Sequence, residues 1–434
     1  MTDTSFPDLI ELDVERPAVG GRMIARHDGR VVLVSGAIPG ERVRARVERQ
    51  RPSLLLARTV EVLDSSADRR SVPGDALCGG RDFAHIDYQR QRTLKGEIVA
   101  DAFRRIGRIP LDDGGPVVVG SPERGYRVRA RLHVQAGRVG FLRSGTHQLC
   151  AADETAQLLP ATERVLGALE ASSSRLQRAR VESLELAEDL VGGQRVIHLQ
   201  VEGDPTVAET TLAPVLETAG VSGWSLASTQ AGGAPRLLAG DTRVIDPLSL
   251  FLPAPGAGVL SLGRHPTAFF QANRYLTPEL VATVDRLVTG DAVVDLYAGV
   301  GLFAVALAAA RGGAVTAVEQ DPVGAADLRR NAEPLAPAVD VAATSVEEYL
   351  AGDADLSGAT VLVDPPRIGL STDARRALID YRPRELVYVS CDVATQARDL
   401  RTFVEAGYGL EEVVALDMFP GTAHVETVAR LRAA

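Results

Sequence analysis

Lysine is almost missing from this chain of 434 residues: Lys95 stands alone among 47 basic side chains, and all the others are arginine. Cysteine is nearly as scarce. Cys78, Cys150 and Cys391 are too few and too unevenly spaced for a disulfide framework, in keeping with a reducing compartment. No run of eighteen apolar residues occurs, so no membrane association is expected. The opening stretch, MTDTSFPDLIELDVERP, is acidic and has neither a basic n-region nor an apolar h-region, so a cytoplasmic protein is expected. What remains is 45% hydrophobic and 24% charged, without repeats or low-complexity tracts. That is the make-up of a globular protein with room for two or three domains.

A net charge of −10 argues against a uniformly basic nucleic-acid binder. The distribution says more than the total. Between Arg22 and Arg58 lie nine arginines and only three acids, Asp28, Glu41 and Glu48, a local balance of +6. Such a segment is either a solvated basic face or an electrostatic footprint for a phosphate backbone.

Three units follow from the patterning. In residues 10 to 64, "IELDVERPAVGG", "RVVLVSGAIPGERVRARVERQ" and "LLLARTVEVLD" alternate apolar and polar residues between glycine and proline breaks. Short strands with glycine turns predict a small OB-like β-barrel over residues 1–65, a fold that can offer a basic face to nucleic acid. Residues 65 to 74 read as a linker. A central α+β domain is expected over residues 66–265. It contains a helix in "HIDYQRQRTLKGEIVADAFRRIGRI" and a hairpin in "YRVRARLHVQAGRVGFLRSGTHQLC", which puts Arg127, Arg129 and Arg131 on one strand face. From 266 to 434 apolar strands alternate with helices, the pattern of a Rossmann-like α/β domain with a mostly parallel sheet.

Within that last unit, "VVDLYAGVGLFAVALA" puts Gly299 and Gly301 at a strand-to-helix turn, where a ligand can lie close to the backbone. Glu319 ends the next strand, twenty residues beyond Gly299, and can accept from both hydroxyls of a ribose. These features alone also fit the dinucleotide pattern G-x-G-x-x-A, so a nicotinamide enzyme stays open. Two features favour S-adenosylmethionine: Asp295 before the turn, in D-L-Y-A-G-V-G, resembles the acid-then-glycines pattern of class I methyltransferases, and the rigid Asp364-Pro365-Pro366 at a later strand end faces the same crevice.

Cys391 follows a strand of the same sheet and opens a helix. That position predicts a lowered thiol pKa. Glu426 sits in another apolar run, where a carboxylate is costly without a partner or a task. A thiolate, a carboxylate and a methyl donor together fit methylation at C5 of a pyrimidine: addition at C6 activates C5, and a general base removes the C5 proton.

Three stretches carry a family resemblance. "SCDVATQARDL" resembles the S-C-N-P-A-T-x-x-R-D motif of the RNA uracil-C5 methyltransferases, "DMFPGTAHVETVARL" resembles their D-x-F-P-x-T-x-H-x-E signature, and "AFFQANRYLTPEL" is similar to their F-x-Q-x-N segment. The N-terminal barrel looks like their TRAM domain, so the resemblance spans nearly the whole chain. It implies a class I methyltransferase domain in which Gln271, Tyr297, Glu319 and Asp364 bind S-adenosylmethionine. Cys391 would be the nucleophile and Glu426 the proton acceptor. Phe269 would stack on a flipped-out uracil whose edge Gln271 and Asp364 touch. Arg127, Arg129 and Arg131 are expected to meet RNA phosphate. The partner is RNA, ribosomal in preference to transfer RNA, and a monomer is expected.

The sequence also departs from the family. Members with an iron–sulfur cluster carry C-x5-C-G-G-C and a fourth cysteine. Here "VPGDALCGGRDFAH" has Val72 and Arg81 at two of those positions, leaving Cys78 and Cys150. A four-iron cluster needs four ligands, so no cluster and no other metal is expected. Leu302 stands where many members have an amide, and Asp392-Val393 replaces Asn-Pro after the cysteine. His424 reads as a packing or hydrogen-bonding group and Trp224 as core or turn, while Arg367 could hold Asp364 or reach a phosphate. Two other classes stay open: a nicotinamide-dependent oxidoreductase, which leaves Cys391 and Glu426 without a task, and an RNA-binding protein without catalysis.

Overall fold

Alternating side chains close residues 9–64 into a barrel. The computed structural model describes residues 8–112, 114–229, 236–253, 257–352, 354–356 and 358–434. Strands β1 (Leu9–Pro17), β2 (Met23–His27), β3 (Arg30–Ser35), β4 (Arg42–Arg51) and β5 (Leu54–Asp64) form a closed barrel in the order β1-β2-β3-β5-β4. Ile10, Leu12, Val32, Val34, Val43, Ala45, Leu55 and Ala57 point inward at every second position and are buried. The arginines point outward, and most are paired. Arg42 and Arg44 meet Glu11, Arg44 also meets Glu61, and Arg22 and Arg58 share Glu48. Among the described residues, Arg46, Arg49 and Arg51 have no such partner, so they carry the exposed charge of this face.

The expected linker is held in place. Arg69 donates to both oxygens of the buried Glu41, at 2.6 and 2.7 Å, and to the Gly36 carbonyl at 2.9 Å. Glu41 would be costly to bury without that partner.

A helix follows at Tyr88–Ala102, then a two-residue strand, β6 (Val118–Val119). The central sheet holds β7 (Arg129–Gln135), β8 (Arg138–Leu142), β9 (Leu149–Ala151), β10 (Val181–Glu188), β11 (Arg195–Val201), β12 (Gly223–Ser228) and β13 (Arg236–Gly240), in the order β13-β12-β11-β10-β7-β8-β9. Leu169, Leu176, Leu212, Leu216 and Trp224 fill the core between this sheet and its helices. Trp224 is therefore core. A ribbon of β14 (Val244–Pro247) and β15 (Ser261–Arg264) leads to the C-terminal unit.

That unit is an eight-stranded sheet. Its strands are β16 (Ala292–Leu296), β17 (Val315–Val318), β18 (Val339–Ala342), β19 (Ala359–Val363), β20 (Glu385–Ser390), β21 (Tyr408–Leu416) and β22 (Glu426–Ala433), joined by β6. The order is β18-β17-β16-β19-β20-β22-β21-β6. The first five run parallel, and β22 is antiparallel to both neighbours. β19 and β20 are buried at every residue because helices cover both faces, which is why they read as unbroken apolar runs.

Two features differ from expectation. The stretch from Tyr88 to Val119, expected within the central domain, packs on the C-terminal unit. β6 pairs with β21 through Ala415↔Val118 and Leu416↔Val119, and Leu94, Ile98 and Phe103 share a core with Ala397, Leu400 and Phe403. Cys78 and Cys150 are joined in a disulfide with their Cα atoms 5.7 Å apart, so only Cys391 is a free thiol. Seventy-two residues separate the pair in the chain. They meet because residues 77–79 run beside β8: Cys78 bridges Arg143, while Cys150 faces Phe141 from the other side.

Candidate active site

The glycine turn after β16 needs its unusual backbone. Gly301 has φ 90°, and a Cβ there would lie 2.6 Å from Leu328 Cδ1, so conformation and packing both demand glycine. Tyr297 holds φ 68° despite its side chain, a left-handed conformation that costs about 1–2 kcal/mol. Asp295, wholly buried, accepts from Ala304 N at 3.1 Å and so pins the turn to the helix Leu302–Arg311. Burial, reinforced by Asp364, holds its carboxyl well above the ordinary range. Glu319 accepts from Gly299 N at 2.7 Å and from Asp321 N at 2.6 Å, which fixes the carboxylate against the turn with lone pairs to spare.

These elements border a narrow cleft lined by Phe269, Gln271, Tyr297, Gly299, Leu302 and Asp364. Gln271, Tyr297, Gly299 and Asp364 thus come together as expected, with Glu319 bonded to the same turn. Leu302 gives the cleft an apolar wall. A glycine turn and a fixed acid bonded to it, beside this cleft, fit an adenosine-bearing sulfonium.

Asp364 follows β19, and its carboxylate accepts from Gln271 Nε2 at 3.1 Å. Desolvation pushes it up to about 7 against that hydrogen bond. One strand along, Ser390 of β20 is the register partner of Thr427 of β22, so the next positions, Cys391 and Glu426, come together at the same sheet end. Glu426 is 2% exposed and Cys391 half-buried. Burial and the nearby Asp364 hold Glu426 well above the ordinary range, opposed by Arg367. Burial, then Glu426 and Asp364, push the Cys391 thiol up to about 12. This corrects the expected lowering. The helix Val393–Glu405 does begin after Cys391, capped by Asp392 accepting from Thr395 N at 2.9 Å, but desolvation and two carboxylates outweigh its dipole. The nearby Arg367 acts the other way and favours the anion.

One residue that the sequence reading passed over organises this end of the sheet. Asp399, wholly buried, accepts from Tyr388 OH at 2.8 Å, Leu370 N at 2.9 Å, Arg398 Nε at 2.9 Å and Arg375 Nη1 at 2.5 Å. It therefore ties the loop carrying Asp364 and Arg367 to the strand and helix on either side of Cys391. Its signal was visible: an acid on the buried face of an amphipathic helix. Gln396 adds a second tie, donating to Tyr388 O at 2.9 Å and accepting from Thr427 Oγ1 at 2.8 Å.

Of the remaining predicted residues, Phe269 is 60% exposed beside the cleft. Arg127 is engaged by Gln157 at 2.8 Å and by the Tyr126, Phe141 and Phe419 rings, and Arg129 by Glu185 at 3.0 Å. Arg131 is exposed and, among the described residues, without an ion pair. The three arginines do not form the uniform cationic face that the spacing suggested. His424 packs its ring against Phe419 at 6.1 Å between centroids.

The residues around Cys78 do not fit an iron–sulfur cluster. Cys78 and Cys150 are bonded to each other, and the Arg81 guanidinium donates to the Pro73 and Glu154 carbonyls. Among the described residues no group of three or more metal-ligating side chains occurs. A cavity of about 430 Å³ lies between Arg81, Tyr126, Glu154 and Gly421, away from the cleft. No helix among the described residues is long and apolar enough to cross a membrane.

Comparison with known proteins agrees with this geometry. The tRNA (Uracil-5-)-methyltransferase family pattern matches residues 264–433, and the TRAM domain pattern matches residues 9–60. A 23S rRNA (uracil(1939)-C(5))-methyltransferase of Chromohalobacter salexigens is 34% identical over 96% of this chain and 88% of its own length. Its counterpart in Halomonas elongata is 31% identical over the same shares. The crystal structure of a Pyrococcus abyssi tRNA (uracil-54, C5)-methyltransferase with S-adenosyl-L-homocysteine has the same fold. Its TM-score is 0.75 at 24% identity, covering 97% of this chain and 99% of that one. With this extent of likeness, the chain belongs to the RNA uracil-C5 methyltransferase family, as a member with an N-terminal TRAM domain.

Proposed function

We propose that the protein methylates C5 of a uridine in ribosomal RNA through a transient bond between Cys391 and C6 of the base. One juxtaposition carries the reading: Asp364, Cys391 and Glu426 stand at the same end of the adjacent strands β19, β20 and β22, beside a cleft formed by the glycine turn. S-adenosylmethionine, when bound there, supplies an electrophilic methyl group. Gln271, Tyr297, Gly299, Glu319 and Asp364 are the residues that would hold it.

The chain's own groups account for the rest. Sγ of Cys391 forms a bond to C6, and the electron pair of the C5–C6 double bond becomes available at C5. As C5 gains the methyl group, the sulfonium–methyl bond breaks. Glu426 takes the C5 proton, the double bond returns, and Cys391 leaves as thiolate. Glu426 must be ionised to take that proton, and Arg367 beside it favours the carboxylate against burial and Asp364. In the free protein Cys391 is a thiol at neutral pH, so its activation depends on Arg367 and on any further positive charge entering the cleft. Phe269 offers an exposed ring on which the extruded uracil can stack, since C6 is out of reach within a stacked helix.

Ribosomal RNA is favoured over transfer RNA because relatives matching nearly the whole chain are named for 23S rRNA. Arg46, Arg49, Arg51 and Arg131 supply phosphate contacts, and such a substrate puts the reaction in the cytoplasm. Incubation with labelled methyl donor and undermodified 23S rRNA or transfer RNA tests the reading. Label in 5-methyluridine of the ribosomal RNA is expected, and no 5-methyluridine in either RNA contradicts it.

A further inference from the structure

We propose that Lys95 is a positioning residue for the general base, holding from outside the reaction centre the loop that delivers Glu426. This rests on the reading of Glu426 given above. Leu416 and Glu426 are register partners at the ends of β21 and β22, so residues 417–425 form the hairpin loop leading directly into Glu426. Lys95 comes from the helix Tyr88–Ala102, more than three hundred residues earlier in the chain. Its ammonium bonds the Asp417 carboxylate and, at 3.1 Å, the Phe419 carbonyl, and both side chains of the pair are 0% exposed. One turn earlier on the same helix, Gln91 Oε1 accepts from Gly421 N at 2.9 Å. One helix face therefore grips the loop at Asp417, Phe419 and Gly421.

The choice of amino acid supports a demand for geometry. Every other basic side chain in this protein is arginine, yet this site holds lysine. A buried ammonium is a compact point donor that meets a carboxylate and a carbonyl together, whereas a planar guanidinium needs more room and a different fork of acceptors. The rest of the loop is fixed on other sides. Asn273 Nδ2 donates to Met418 O at 3.2 Å, Asp417 N to Val119 O at 2.8 Å, and the Arg127 guanidinium lies 5.6 Å from the Phe419 ring centre. Lys95 is the member of this set that pairs with a buried carboxylate, so its loss leaves Asp417 without its ion-pair partner and the loop loose.

The test compares Lys95→Met, the double variant Lys95→Met with Asp417→Asn, and Glu426→Gln. Turnover is normalised to folded protein, and RNA affinity and the lifetime of the covalent RNA adduct are measured in parallel. Positioning predicts that Lys95→Met keeps RNA affinity but loses turnover by about a hundredfold, the scale of a displacement near 1 Å, with a longer-lived adduct. The double variant removes the uncompensated charge, so it folds even where the single variant does not, and it remains slow. If the double variant turns over within about twofold of the parent, Lys95 merely neutralises Asp417 and the inference falls. Failure of Glu426→Gln to prolong the adduct counts against the base assignment itself, and the turnover of the double variant still decides the role of Lys95.

Discussion

Ser390 and Thr427 face each other across the last register pair of β20 and β22, and that pairing sets Cys391 beside Glu426. A thiol and a carboxyl thirty-five positions apart in the chain thus share one desolvated corner with Asp364 and Arg367. Their electrostatics yield most of the outcomes below.

Asp364 links stability to pH. Its folded value, about 7, lies above the roughly 3.9 of an unfolded chain, so between these values the folded state binds more protons. Its contribution to stability therefore declines as pH rises from about 4 to 7 and is flat above. Asp364→Asn removes that dependence. The stability gained by the variant should be larger at pH 8 than at pH 5 by about 2 kcal/mol, allowing for partial solvent screening. Denaturant unfolding at the two pH values measures it, and a gain independent of pH contradicts it.

Arg367 favours the Cys391 anion, whereas burial and two acids oppose it. Arg367→Gln should slow alkylation of Cys391 by iodoacetamide at pH 8 by roughly three- to tenfold and shift the rate profile to higher pH. Cys391 is the one free thiol, so mass spectrometry of the intact protein follows the reaction directly. An unchanged profile would remove Arg367 from the activation of the nucleophile.

The disulfide makes a count. Denatured without reductant, the protein should show one reactive thiol, and after reduction three. Iron and sulfide reconstitution should give no stoichiometric cluster, because Val72 and Arg81 offer no thiolate. Brown absorbance with four irons per chain contradicts this.

The sequence made some of this structure legible and hid the rest for physical reasons. β19 and β20 declared themselves because strands covered on both faces must be apolar throughout, and the glycine turn because Gly301 has neither backbone nor space for a side chain. The place of β6 was hidden, since two residues carry no periodicity and their pairing with Ala415 and Leu416 is tertiary. The Cys391 pKa was misread for a related reason. A helix start is local and visible in sequence, but the carboxylates that outweigh it arrive from positions 364 and 426. The arginine run overstated the barrel's free charge because Glu11 and Glu61, on other strands and outside the run, pair with Arg42 and Arg44. Asp399 went unremarked within a motif that was otherwise read.

The covalent role of Cys391 is tested most directly by the fate of an RNA complex with Glu426→Gln. With S-adenosylmethionine and substrate RNA, this variant should accumulate a denaturation-resistant protein–RNA species. Digestion should place a methylated uracil on Cys391, and Cys391→Ala should form no such species and no product. Normal methylation by Cys391→Ala, or an adduct mapped to another residue, would contradict the covalent role assigned to this cysteine.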